Sequence, residues 1–134
     1  MTLANKSDYF IKIGNWNPNV TDENFKLFTN ITRRSKFTLC PRGYGATSFR
    51  LYETFQLNSV PVYITDKEYK PWSDEINWND FCILISEYEI PYMDHILKSI
   101  SDEKYNKLLQ NGKFIYEKYF TQEGMVQNIK KRIL

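Results

Sequence analysis

Three short apolar runs divide the middle of the chain, and each has the composition of a β-strand. Residues 36–40, 60–64 and 81–85 are rich in aromatic and β-branched side chains, which favour strands. The third run is apolar throughout, as expected for a strand that is covered on both faces. A stretch without glycine or proline, residues 49–57, separates the first two runs. A helix between two strands favours a parallel crossover, so the pattern predicts a βαβ unit.

Flanking segments before this unit predict one more strand and one helix. Residues 9–13 form a candidate strand that ends at a glycine. Thr21 is a suitable N-cap, and Phe25, Phe28 and Ile31 follow it at helical spacing. The sequence therefore predicts a short amphipathic helix that leads into the central unit.

Helices are also predicted after the third strand, with starts near Glu89, Ser101 and Thr121. In the last of these, Met125, Ile129 and residues 133–134 recur on one side, which we expect to be buried. The predicted fold class is α/β: a Rossmann-like parallel sheet of three or four strands with helices on both faces.

Length and charge limit the class of protein. A chain of 134 residues suggests a single domain, residues 1–134. The net charge of +2 is too small to indicate a nucleic-acid-binding protein. No apolar run is long enough to cross a bilayer, and the first residues lack an apolar signal core. We expect no nucleic-acid partner and no membrane span in this chain.

The cysteine and histidine content indicates the cellular compartment and whether a metal site can form. Cys40 and Cys82 both lie in strand-like runs, and we interpret them as reduced core thiols. That interpretation predicts a cytoplasmic protein. One histidine and two distant cysteines cannot supply a zinc site, so no metal is expected.

The loop after the first strand holds the candidate chemistry. Residues 41–45 contain one proline and two glycines, and Ser48 stands where the next helix begins. Free N–H groups at a helix N-terminus bind phosphates, and Arg42 and Arg50 add donors that match phosphate oxygens. Glu53 lies on the same helix face as Arg50, where it could accept hydrogen bonds from ribose hydroxyls. The alternative is that Arg50 and Glu53 form an ordinary surface ion pair.

A further candidate lies at the end of the second strand. Ligands of open parallel sheets bind outside the carboxyl ends of the strands, which adds Asp66, Lys67 and Tyr69 as second-tier candidates. Trp72 and Trp78 could stack on a base, but packing is the more frequent use of such residues.

The same segment resembles the C-terminal half of exostosin-type glycosyltransferases, glycosyltransferase family 47. The likeness covers roughly residues 33–134. The matching pieces are SKFTLCPRG at 35–43, SFRLYE at 48–53, VPVYITD at 60–66, and PWSD and INW within 71–78. Where the family often has Gly-Cys, this chain has Asn58-Ser59, and asparagine can still adopt the left-handed backbone that ends a helix.

The resemblance implies the donor-binding domain of an inverting, metal-independent GT-B glycosyltransferase. Such an enzyme moves a sugar from a nucleotide sugar, commonly a UDP-sugar, to a glycan hydroxyl without a cofactor. The resemblance assigns Arg42, Ser48 and Arg50 to the diphosphate and Glu53 to the ribose. The predicted nucleotide-sugar site comprises Arg42, Gly43, Tyr44, Ser48, Arg50, Glu53 and Asp66.

No general base can be assigned from the sequence. The resemblance implies that the base comes from an N-terminal acceptor-binding domain of a parent protein, of which this chain is about half the expected length. A parent protein in the Golgi lumen remains an alternative to a cytoplasmic one. The other functional alternatives are a non-catalytic nucleotide or nucleotide-sugar binding module and a fucosyltransferase-like domain that uses GDP-fucose.

Overall fold

A computed structural model describes residues 7–12, 14, 17–45, 47–66 and 69–134. Its helices and strands in chain order are α1 (Asp22–Arg34), β1 (Phe37–Pro41), α2 (Phe49–Gln56), β2 (Val60–Ile64), β3 (Ile83–Ile85), α3 (Met93–Lys98), α4 (Asp102–Ile115) and α5 (Gln122–Ile133). Short 3-10 helices span Trp78–Asp80 and Glu87–Tyr92, and a π-helical turn spans Tyr116–Phe120. Lys67 and Ile13, the last residue of the candidate strand at 9–13, lie outside the described residues.

The three strands form one parallel sheet in the order β1-β2-β3. Leu39 of β1 lies opposite Val62 of β2, which in turn lies opposite Ile83 of β3. The predicted parallel crossover between the first two strands is confirmed. β2 spans the predicted residues 60–64, whereas β3 is shorter than predicted because residues 81 and 82 precede the ladder.

Helices cover both faces of the sheet, as predicted. On one face, Cys40 and Tyr63 pack with the α2 residues Leu51 and Phe55 and with Trp78. On the other face, a second buried cluster holds alternate β2 and β3 side chains together with residues of α3 and α4: Val60, Val62, Ile64, Ile83, Ile85, Met93, Leu97 and Leu108. Alternate side chains of a strand point to opposite faces, which divides β2 between the two layers.

Local capping signals predicted the helix starts well. Thr21, Ser101 and Thr121 each accept a hydrogen bond from the backbone N–H three residues later, at 3.2, 3.2 and 3.1 Å. Asn58 has a φ of 60°, the left-handed conformation expected of it. A capping box in which Ser86 and Glu89 bond to each other was not predicted, and the helix predicted near Glu89 begins as a 3-10 helix.

Two predictions about outer elements are wrong. Residues 9–12 have no regular strand structure, although they line the same groove as β1. The side of α5 that was predicted to be buried is exposed: Met125 at 42%, Ile129 at 44% and Ile133 at 75%. The buried residues of α5 are instead Gly124 and Asn128.

Candidate functional site

The strand ends bring Arg42 and Asp66 together. β1 and β2 are parallel and in register up to Pro41 and Ile64, so the residues that follow them lie side by side. Arg42 Nη2 donates to Asp66 Oδ2 at 3.2 Å, and Nε contacts the other carboxylate oxygen. The Arg42 side chain is 27% exposed. This ion pair, with one hydrogen bond from Nη2, therefore holds the guanidinium at the carboxyl edge of the sheet.

The first turn of α2 carries Ser48 and Arg50. Ser48 is the N-cap residue with extended backbone, and its side chain makes no capping hydrogen bond. The Arg50 guanidinium lies over the ring of Phe28 in α1, 4.3 Å from the ring centroid. A cation over an aromatic ring is stabilised by about 0.5–1 kcal/mol at exposed sites. Arg50 is thus oriented by a helix that precedes the central unit.

Glu53 lies one turn further along α2 and is exposed. Within the described residues it forms no ion pair with Arg50, so the alternative of an ordinary surface pair is not supported. Gly43 and Tyr44 lie in the exposed loop between β1 and α2. The Gly43 N–H donates a long hydrogen bond, 3.5 Å, to the Thr47 carbonyl. This bond brings the two sides of the loop together.

The predicted site residues are only partly brought together. All seven are among the described residues, and they lie on the loop, the first turns of α2 and the end of β2. A groove of about 1100 Å³ is lined by Arg50 but not by Arg42 or Glu53. The structure joins Arg42 to Asp66 directly, and it leaves Glu53 on the exposed surface of α2.

A second polar cluster, which the sequence did not predict, holds the loop after β2. Arg132 of α5 donates to Asp74 at 2.8 Å and to Glu75 at 2.8 Å. Its guanidinium also lies 4.5 Å from the Trp72 ring centroid, and Trp72 has a left-handed backbone with a φ of 62°. The hydrogen bond from Arg132 holds the pKa of the Asp74 carboxyl below its ordinary value. Fifty-eight residues separate Arg132 from Asp74, so no local pattern could have revealed the pair.

The two tryptophans have the packing role that the sequence favoured. Trp78 is 2% exposed, and its Nε1 donates to the Pro71 carbonyl at 3.0 Å. Trp72 packs against Tyr119, with 5.9 Å between ring centroids. Both residues therefore fix the loop after β2.

The two cysteines are buried free thiols, as predicted. Burial raises the pKa of Cys40 to about 12 and that of Cys82 well above its ordinary range. Such thiols are poor nucleophiles and poor metal ligands.

Among the residues that the structure describes, no group of three or more histidine, cysteine and acidic side chains is arranged to hold a metal ion. None of the described helices is long and apolar enough to cross a membrane.

Comparison with known proteins identifies relatives of this chain. The family model described as Exostosin GT47 domain matches residues 4–100. The chain is 36% identical over 86 residues to an Arabidopsis thaliana protein named "Probable glycosyltransferase", a match that covers 64% of this chain and 18% of that protein. It is 29% identical over 107 residues to the "Exostosin-1 homolog" of Caenorhabditis elegans, covering 80% of this chain and 28% of the relative. A "Probable beta-1,4-xylosyltransferase" of Arabidopsis thaliana is 39% identical over 71 residues, covering 53% and 17%.

These matches differ in extent from the resemblance seen in the sequence. The family match begins at residue 4 and ends at residue 100, whereas the resemblance was placed at roughly 33–134. The chain spans less than a fifth of the length of the two plant relatives.

Proposed function

This chain belongs to the Exostosin GT47 family, and we propose that it is the nucleotide-sugar-binding part of a glycosyltransferase. In this proposal it corresponds to the C-terminal half of a GT-B enzyme. The donor is a UDP-sugar and the acceptor is a glycan hydroxyl. An N-terminal domain of the parent protein would bind the acceptor and supply the general base.

The observation that carries the proposal is the placement of Arg42 and Ser48. Arg42 follows β1 directly, and Ser48 opens α2 within the same parallel βαβ unit. The carboxyl edge of a parallel sheet and a helix N-terminus are both places where phosphates bind in folds of this class. Arg50 lies in the first turn of α2 and would add a second cation.

In the proposed reaction, this chain stabilises the negative charge of the leaving group. In glycosyl transfer an acceptor oxygen forms a bond to the anomeric carbon while the bond from that carbon to the diphosphate breaks. The electron pair leaves with the nucleoside diphosphate, and the acceptor proton goes to a base. Arg42, Arg50 and the loop N–H groups would stabilise the departing diphosphate without a metal ion. Groups placed where negative charge develops contribute about 3 kcal/mol each in comparable sites.

The test begins with titration of the isolated chain with uridine diphosphate (UDP), followed by NMR or calorimetry. We expect weak, saturable binding that Arg50→Ala lowers about tenfold, since a charge-assisted hydrogen bond contributes roughly 1.5–3 kcal/mol. Arg33→Ala is the matched control, because Arg33 is an exposed cation in the last turn of α1. Equal binding by the Arg50→Ala variant and the unmodified chain would remove Arg50 from the site.

The role of Glu53 is tested separately with 2′-deoxy-UDP. If Glu53 accepts hydrogen bonds from the ribose, the unmodified chain prefers UDP over the deoxy form and Glu53→Ala abolishes that preference. Glu103→Ala, which removes an exposed carboxylate from α4, should retain the preference. A preference that survives Glu53→Ala contradicts the assignment.

A second candidate is a binding module without transfer activity. It is favoured by one observation: the matched segment is less than a fifth of the plant relatives, and no general base is assigned within it. Both candidates predict UDP binding, and they differ in transfer to an added acceptor. Stronger binding of GDP than of UDP would instead favour the fucosyltransferase-like alternative.

A further inference from the structure

α5 is anchored to the rest of the structure along one narrow side. Its buried residues are Gly124 and Asn128, which lie four residues apart on the same face of the helix. Asn128 Nδ2 donates to the Lys118 carbonyl at 2.7 Å, and a Cβ at Gly124 would lie 2.5 Å from the same carbonyl oxygen. This close approach fixes α5 against the preceding turn and determines which side of the helix faces outward.

The outward side carries an apolar stripe. Met125, Val126 and Ile129 are 42, 45 and 44% exposed, and Ile133 is 75% exposed. Val126, Ile129 and Ile133 have the spacing of a, d and a in a heptad, the inner positions of a two-helix coiled coil. At about 100° per residue, the two buried residues of α5 fall on the opposite side. The stripe is therefore free to pack against a second helix, which is how such a face is normally buried.

Two charged residues flank the stripe along one edge. Glu123 and Lys130 are seven residues apart, which places them within about 20° of each other around the helix axis. Where Val126 is an a position, both are e positions. Both side chains are exposed, and within the described part of the chain neither forms an ion pair. Glu123 accepts a hydrogen bond of 3.4 Å from Gln127. The same edge thus presents an acid near its start and a base near its end.

We propose that α5 pairs with α5 of a second copy of this chain, with the two helices antiparallel about a two-fold axis. This arrangement packs Val126 against Ile129 of the second copy. It also brings Glu123 to Lys130 of the second copy, and the symmetry makes each contact twice. Interfaces of this isologous kind are the commonest way in which identical chains associate.

Charge favours this orientation over a parallel one. In a parallel pair, e positions face g positions of the other helix, so Lys130 would lie beside the uncharged Met125. The antiparallel pair joins e to e, and every Glu123 and Lys130 then meets an opposite charge. One twelve-residue helix from each copy is small beside a standard interface, which buries about 1,600 Å². The dimer should therefore be weak and should form only at high protein concentration.

The first test is sedimentation velocity of the 134-residue chain over a range of protein concentrations. We expect a monomer at low concentration and a dimer at high concentration. Ile129→Asp should abolish the dimer, because it would place a carboxylate in the apolar seam. Ile129 is already exposed in one copy, so this variant should keep the circular dichroism spectrum and melting temperature of the unmodified monomer.

Charge reversal tests the contact between Glu123 and Lys130. Glu123→Lys and Lys130→Glu each replace two attractions by two repulsions, so each should weaken the dimer about tenfold. A chain with both changes should regain the original affinity. An equimolar mixture of the two single variants should form a heterodimer, because one chain is then basic and the other acidic at both positions.

Lys131→Glu is the matched control for Lys130→Glu. Lys131 is exposed and lies on the side of α5 opposite the stripe. The same charge change at this neighbouring residue should leave the dissociation constant of the dimer nearly unchanged.

Three results would overturn the proposal. A chain that is monomeric at every concentration leaves the stripe to polypeptide outside these 134 residues. A dimer that persists in Ile129→Asp uses another surface. A dimer that is as weak in the double variant as in the single variants is not paired through Glu123 and Lys130.

Discussion

Replacement of Asp66 by asparagine tests whether Arg42 serves a phosphate site. The Asp66 carboxylate neutralises the Arg42 guanidinium at the carboxyl edge of the sheet. A phosphate bound there would compete with Asp66 for the same donors and would be repelled by its charge. Asp66→Asn removes the repulsion and keeps a side chain of the same shape.

Two opposing effects set the expected magnitude. A carboxylate about 6 Å from a phosphate repels it by about 1.4 kcal/mol per unit charge at an effective dielectric constant of about 40. The substitution also removes the partner that holds Arg42 in place. Immobilising the freer Arg42 side chain when UDP binds costs about 0.5–1 kcal/mol. The relieved repulsion is larger than the cost of immobilising Arg42. Their difference predicts that UDP affinity rises about two- to fivefold in Asp66→Asn. Loss of the ion pair, whose carboxylate is 38% exposed, should lower stability by less than about 1 kcal/mol.

The assay is calorimetric titration with UDP at two salt concentrations. Asp102→Asn is the matched control, since it removes an exposed carboxylate from a pair with Lys36 at 3.2 Å. Lys36 and Arg42 lie at opposite ends of β1, roughly 20 Å apart at 3.3 Å per residue, well beyond the screening length of about 8 Å. The gain in Asp66→Asn should shrink with salt and be absent in the control. An unchanged or reduced affinity in Asp66→Asn would refute the reasoning.

Three further predictions concern packing and ionisation. Gly124→Ala would place a Cβ 2.5 Å from a backbone carbonyl oxygen of the preceding turn, so denaturation should show a loss of about 2–3 kcal/mol; an unchanged midpoint would contradict this packing. The Cys40 and Cys82 thiols should resist a thiol reagent at pH 8 until the protein unfolds. Their raised pKa values favour the folded state below pH 9.0, and this contribution should be lost as the pH rises toward about 12. Arg132→Gln should raise the pKa of Asp74 toward its ordinary value in an NMR titration; no change would mean that Arg132 does not hold the carboxylate in solution. Because the pKa of Asp74 is lowered in the folded protein, its contribution to stability is present above the ordinary value and is lost as the pH falls.

Sequence alone was sufficient for the features that depend on close neighbours in the chain. A cap needs one hydroxyl three residues from one N–H, and Thr21, Ser101 and Thr121 supply it. β2 was placed correctly because a β-branched run between a left-handed Asn58 and a polar loop has few other conformations. The parallel pairing followed from a helix between two strands.

Only the tertiary structure decided which distant side chains meet and which faces are covered. Arg42 and Asp66 are 24 residues apart, and their contact depends on the register of two strands. Residues 9–12 have strand-like composition but pair with no strand, and the apolar side of α5 is exposed despite its regular spacing. Periodicity shows that a face is apolar, but burial of that face requires a second element, and its position is determined by the packing of the whole chain.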